Sequence, residues 1–359
     1  MKKFLLFIVP FLFLIGCASP EKPNNSLVFY PSPPLQPRLQ YLLSISSEDD
    51  IRDPGNDFMD FLIGDIKSEK RIRKPYDICS TPGKIYVLDR GYKKLLVIDL
   101  EKRTFSHLEA QGLGELGEPS GIWVSNDDTK YIADMKRRQV VVFDENNNFL
   151  RSYGNNGMFD KPVDVAVYRG TLLVCDMNKN QILVLDKETG RLQKTLGTMG
   201  RDSGNFYKPT HINIDQAGNI YVNDAFNYRI QKFDQNGQFI KSFGFHGDIV
   251  GAFARPKGVD VDRNGHMYVV DSAYENTQIF DVESGRLLLY FGGSGMAPGS
   301  MFLPASVHID YANAQYYKNF ADKDFVLEYV VYVGNMFGSN KLNVYGFGHW
   351  TGPPLSGWN

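Results

Sequence analysis

Apolar residues recur along this chain at alternate positions in short runs, and glycine, asparagine or aspartate closes each run. Period-two alternation marks half-buried β-strands, and the punctuating residues mark turns. The clearest stretch is residues 208–244, KPTHINIDQAGNIYVNDAFNYRIQKFDQNGQFIKSFG. It predicts four strands: a (Thr210–Ile214), b (Asn219–Asn223), c (Arg229–Phe233) and d (Gln238–Phe243). Ala217-Gly218 separates a from b, and Asn236-Gly237, a tight-hairpin dipeptide, separates c from d. The unit repeats from prolines at 75, 119, 162, 209, 256 and 304, at intervals of 44, 43, 47, 47 and 48 residues. A four-strand repeat with a period in the forties is the signature of a β-propeller blade. Six copies predict an all-β, six-bladed β-propeller of four-stranded antiparallel blades.

Strand counting predicts how the ring closes. Copy six shows a (Ala305–Ile309), b (Tyr329–Val333) and c (Lys341–Tyr345), but no strand d. Residues 38–45 read as a lone strand and are expected to complete blade six from the N-terminal side. The propeller is thus placed at 38–346, with repeats over about 74–346 and a tail at 347–359. Antiparallel order puts the b–c turns and d–a loops on one face, the top, with the a–b and c–d turns on the bottom. The closing strand should start at the bottom. That turns the top away from whatever holds the N-terminus, unless the preceding segment folds back.

One polar spacing is strict. An aspartate ends strand b and a second ends strand c ten residues on: Asp89/Asp99, Asp134/Asp144, Asp176/Asp186, Asp224/Asp234 and Asp271/Asp281. Such recurrence predicts a structural role, with the carboxylates accepting backbone N–H groups in the following turns. Copy six has Gly334-Asn335 instead.

Composition is ordinary for a globular chain, 43% hydrophobic and 22% charged, and a formal charge of −2 offers nucleic acid no attraction. The N-terminus departs from the repeat. Lys2 and Lys3 precede an apolar run, Phe4 to Ile15, too short to span a bilayer but suited to a signal peptide over 1–16. Residues 17–37 are proline-rich and read as an extended tether. Cys79 and Cys175 fall in blades one and three, so free buried thiols are expected. No CxxCH, paired CxxC or HExxH occurs.

Three groups of residues could carry function. The top b–c turns are basic in four blades: Lys93 and Lys94, then Lys136, Arg137 and Arg138, then Lys179, then Arg229; these suit an acidic protein or an anionic polysaccharide. The second residue after each proline forms a ring at the channel mouth: Asp77, Gly121, Asp164, His211, Gly258 and Ser306. His308 lies two residues beyond that ring. Carboxylates and histidine there could hold an axial divalent metal, although polar lining is the plainer expectation. Finally, Tyr311–Glu328 is an insertion between strands a and b of copy six. Its Tyr311, Tyr316, Tyr317 and Phe320 could bind a glycan or a partner, or pack on the propeller itself.

The repeat resembles the NHL family, P-x-G-[IV]-x-[VI]-D…G-x-[IV]-Y-V-x-D…N-x-R-[IV]-x-[VK]-F-D, most closely at 208–244. Leu14-Ile15-Gly16-Cys17 resembles a bacterial lipobox. That resemblance implies cleavage before Cys17, lipid on Cys17 and, with Ala18 next, residence in the outer membrane. Together they resemble NHL lipoproteins of bacteria rich in exported cytochromes, which implies a non-enzymatic platform for a protein partner such as a cytochrome-type complex. Some NHL propellers bind RNA, which an exported chain would not meet. NHL-like peptide-amidating lyases place zinc-binding histidines directly after the prolines; Thr210 and Ala305 stand at those positions here. A metal-dependent lyase or lactone hydrolase and a glycan-binding propeller remain the alternatives.

Overall fold

The computed structural model describes residues 27–52 and 70–355. It is a ring of six antiparallel sheets, each strand a beginning at the predicted proline. Blade four shows how closely the pattern was placed: its strands are Pro209–Ile214, Ile220–Asp224, Arg229–Phe233 and Phe239–Phe243. Strands a line the axis and pack on one another around the ring, blade six returning to blade one. Strands d face solvent; Leu192–Leu196 of blade three buries only Leu196. Apolar side chains from facing sheets form a separate core between each neighbouring pair of blades. Burial is therefore spread around the ring, and opening any seam exposes two sheet faces.

The closing strand is Leu39–Ile45. It runs antiparallel to strand c of blade six, Leu342–Trp350, and Leu39 and Ile45 are fully buried. Two features differ from the sequence reading. Strands b and c of blade six are long, Phe325–Asn335 and Leu342–Trp350, so the chain beyond 346 begins as sheet rather than tail. Part of the proline-rich tether is also seated. Phe29–Tyr30 pairs antiparallel with the start of the closing strand, and Phe29 packs edge-on to Trp350 with ring centres 5.6 Å apart. The chain thus folds back at residues 31–38, and the expected orientation of the top away from the anchor does not follow. Cys17 and residues 1–26 lie outside the described residues, as do 53–69 and 356–359.

The strand-b aspartates do more than hold the next turn. Asp134 is fully buried and accepts the Arg137 N–H of that turn, but also the N–H groups of Gly117 and Glu118, just before its own Pro119. Asp89, Asp176 and Asp271 repeat this grip on the d–a loop. Each carboxylate satisfies backbone donors at both top corners of its blade. In blade six Asn335 takes the place, accepting the Phe302 N–H. The strand-c aspartates act locally, as Asp144 does with Asn146 and Asn148.

The aromatic insertion packs mainly on the propeller. A 3₁₀ segment, Ala314–Phe320, lays Tyr317 into the core between blades six and one. Asn313, fully buried, accepts the Gly83 N–H and donates to the Thr81 carbonyl, joining blade six to blade one. Tyr311 lies against Tyr329, ring centres 4.6 Å apart, beneath the Arg263 guanidinium. Only Phe320 among the four aromatics is strongly exposed, at 50%.

Candidate functional site: the cationic mouth and the axial ring

Every blade has a register shift just after its proline: the next residue is left unpaired, and in all but blade five the ring residue resumes the ladder. The extra residue shifts the alternation of faces along the strand by one position. It explains why the ring residues aim at the axis. Asp77 accepts the N–H of Ile78 in its own strand and of Ile122 in the next blade. Asp164 does the same with Val165 and Ile212. Two of the ring's acids therefore also tie neighbouring blades together.

Asp77, Asp164 and His211 are brought together; one ligand atom from each lies within 4.8 Å of the others. His211 Nε2 is 3.9 Å from Asp77 Oδ1. All three are buried, and neither ring nitrogen of His211 has a hydrogen-bond partner. Burial pushes the Asp77 carboxyl up to about 7 and Asp164 well above its ordinary range, and it draws His211 down to about 3. Ser306, on the sixth blade of this ring, is also buried with an unpartnered Oγ. Gly121 and Gly258 complete the ring without donors. Deeper in, His308 is occupied by Asp260 at 3.3 Å and Ser80 at 2.9 Å. Burial pulls its pKa down, but Asp260 outweighs that and raises it. A channel cavity of about 260 Å³ touches both levels.

Above the ring, the top face holds an open cavity of about 610 Å³. Lys93 and Lys136 line it, as the basic-turn reading expected. The other five turn residues do not. Lys94 pairs with Glu109, Arg138 with Asp160, and Lys179 donates to the Met158 carbonyl. Arg137 is held by Gln139 and the Glu115 carbonyl, and Arg229 by Asp224 and two loop carbonyls. Their place is taken by Lys74, Arg90, Arg255 and Lys257, which sequence reasoning missed. Three of these flank the blade prolines directly, a position as regular as the turns.

Within the cavity, Glu118 is engaged by Arg90 at 2.5 Å. The remaining five cations have no carboxylate partner among the described residues. Tyr76 lies under Arg90 at 4.5 Å and Lys257 at 5.9 Å, and Lys74 sits over Phe337 at 4.9 Å. Burial, then Arg255 and Arg90, lower the Lys257 ammonium to about 8. The mouth is thus a concave surface with surplus positive charge on aromatic footing.

The fold and both levels of the axis belong to a six-bladed β-propeller. A model of a family described as 6-bladed beta-propeller matches residues 158–259. A probable peptidyl-alpha-hydroxyglycine alpha-amidating lyase of Caenorhabditis elegans is 27% identical over 110 residues, 29% of this chain and 31% of the lyase. The brain tumor protein of Drosophila melanogaster is 34% identical over 129 residues, 34% of this chain and 12% of that protein. The chain thus spans under a third of either relative. A solved protein of unknown function from Bacteroides thetaiotaomicron superposes with a TM-score of 0.61 at 17% identity, covering 87% of this chain and 76% of that one. The likeness to it is one of fold. The lyase histidine pattern is not reproduced: Thr210 is hydrogen-bonded to Asn223, and Ala305 carries no donor. The residues at those positions do not fit a zinc ion held in that way.

Proposed function

We propose that this chain is a non-enzymatic NHL-type binding module of the bacterial cell envelope, tethered by lipid on Cys17, whose top face docks an acidic partner protein. The observation that carries the reading is the top cavity, where Lys74, Lys93, Lys136, Arg255 and Lys257 gather without carboxylate partners among the described residues. Clustered cations held on a rigid ring steer an acidic partner and penalise a basic one. The lipobox-like Leu14–Cys17 supports the tether and an outer-membrane address. An exported cytochrome-type complex is one class of partner that would meet such a face.

The experiment is cross-linked purification of the tagged full-length protein from its native cells. One dominant partner is expected, with capture strongly reduced by Lys93→Glu with Lys136→Glu. Emergence of the protein alone, or equal capture by the doubly changed form, defeats the reading. The glycan alternative is weakened by the burial of Tyr317 and the engagement of Tyr311 and Tyr316.

A further inference from the structure

The axial ring has a chemistry that the top face does not explain. Asp77, Asp164 and His211 are 7%, 3% and 5% exposed. Each carboxylate oxygen of the two acids accepts one backbone N–H, which leaves each a further lone pair. No lysine or arginine forms an ion pair with either acid among the described residues. Two buried carboxylates this close without a countercharge are opposed by burial. An imidazole buried with both nitrogens unpartnered is opposed as well. A cation between the three groups would relieve all of these penalties together.

Room for the Asp164 ligand is built into the backbone. A Cβ on Gly121 would stand 2.3 Å from Asp164 Oδ1 and 2.8 Å from the Val163 carbonyl oxygen. Asp164 therefore occupies space that only glycine on the neighbouring blade leaves open. The separations between donors also suit an ion. A distance of 3.9 Å from His211 Nε2 to Asp77 Oδ1 is too long for a hydrogen bond. It is near the span of two ligands lying about 2.1 Å from a shared metal.

We propose that Asp77, Asp164 and His211 form the ligand set of one divalent first-row metal ion on the propeller axis. Two carboxylates and an imidazole suit Zn²⁺ or Mn²⁺. Ca²⁺ prefers six to eight oxygen ligands, and an imidazole does not provide one. The set is displaced by one residue from the lyase pattern described above, and only one of its members is a histidine. Three protein ligands leave a coordination position open toward the channel cavity, which the same three residues line. The second imidazole nitrogen has no acceptor. Outer-shell partners are worth roughly 10–100-fold in affinity, so binding should be correspondingly weaker than at a fully supported site.

The test uses the full-length chain, stripped with chelator and dialysed against Zn²⁺ or Mn²⁺. The expected result is one equivalent of metal per chain and a rise in thermal midpoint. His211→Gln and Asp164→Asn should each weaken binding at least about tenfold. Asp164→Asn keeps one acceptor oxygen for the blade contacts, and His308→Gln, outside the set, should bind as the parent does. If the ring variants do not fold, Mn²⁺ broadening of the His211 ring resonances reads the same contact in the unaltered protein. Absence of saturable binding, equal binding by both ring variants, loss only in His308→Gln, or an unbroadened His211 overturns the proposal. None of these readouts involves a partner, so the top-face reading stands or falls separately.

Discussion

Lys257 offers the sharpest test of the cationic mouth. Its ammonium is largely buried between Arg90 and Arg255, over Tyr76 and near His211, and it lacks a carboxylate partner among the described residues. Burial and like charge lower its pKa from an ordinary 10.5 to about 8. At about 1.36 kcal/mol per pH unit, the charged form is disfavoured in the fold by roughly 3 kcal/mol at neutral pH. Between pH 8 and 10.5 the unfolded chain holds a proton that the native chain has released. Stability should therefore rise with pH across that window, through this group alone. Lys257→Met keeps most of the stem and removes the charge. It should stabilise the protein by about 1–3 kcal/mol at pH 7, a gain shrinking to under about 1 kcal/mol at pH 10. Urea unfolding at the two pH values measures both quantities. The same change should weaken partner capture, since strain retained against stability is expected where a residue serves binding. A neutral or destabilising effect at pH 7 would mean that the ammonium is paired or hydrated, and Lys257 would leave the site.

Three further changes test the frame that holds the mouth. Asp134→Ala strands the N–H groups of Gly117, Glu118 and Arg137 and should cost about 3 kcal/mol in urea unfolding. Asp144→Ala, at an exposed turn, should cost about 1 kcal/mol or less, and equal losses would refute the difference in roles. Asn313→Ala removes the link from blade six to Gly83 and Thr81 and should cost about 2–3 kcal/mol. Limited proteolysis should then cut first beside that seam. Deleting residues 27–45 uncovers strand Leu342–Trp350 as a long apolar edge. Size-exclusion chromatography should show association or aggregation, and a well-behaved monomer would show that the closing strand is dispensable.

How much of this was legible follows from the range over which each signal acts. The blades were readable because period-two alternation and turn residues are local, and repetition made them redundant. The closing strand was readable by elimination, since copy six lacked a strand and residues 38–45 offered one. The tether's reversal was not, because its evidence is the burial of Phe29 against Phe325 and Trp350, about three hundred residues away. The strand-b aspartates showed a structural role by recurrence, but their grip on the preceding loop appears only when the blade folds.

The site divides in the same way. The ring was found because its spacing from proline is fixed, and the structure adds what spacing does not contain: the bulge that aims the side chains and the unpartnered His211. The basic turns were counted by charge, yet charge in sequence does not say which cations have partners. Arg229 is consumed by Asp224 of its own blade, five residues away. Lys257 has Arg90, Arg255 and the Tyr76 ring beside it and no carboxylate partner among the described residues, because closure sets blades one, two, five and six around one opening. Lys74, Arg255 and Lys257 at the mouth come from the residues beside the prolines, Arg90, Lys93 and Lys136 from the b–c turns, and donors on the axis from the second residue after the prolines. The bulge at that point sends neighbouring positions of one strand to two levels of opposite charge. A substitution that removes the bulge should therefore disturb both levels at once, whereas Lys93→Glu or His211→Gln should each alter only one.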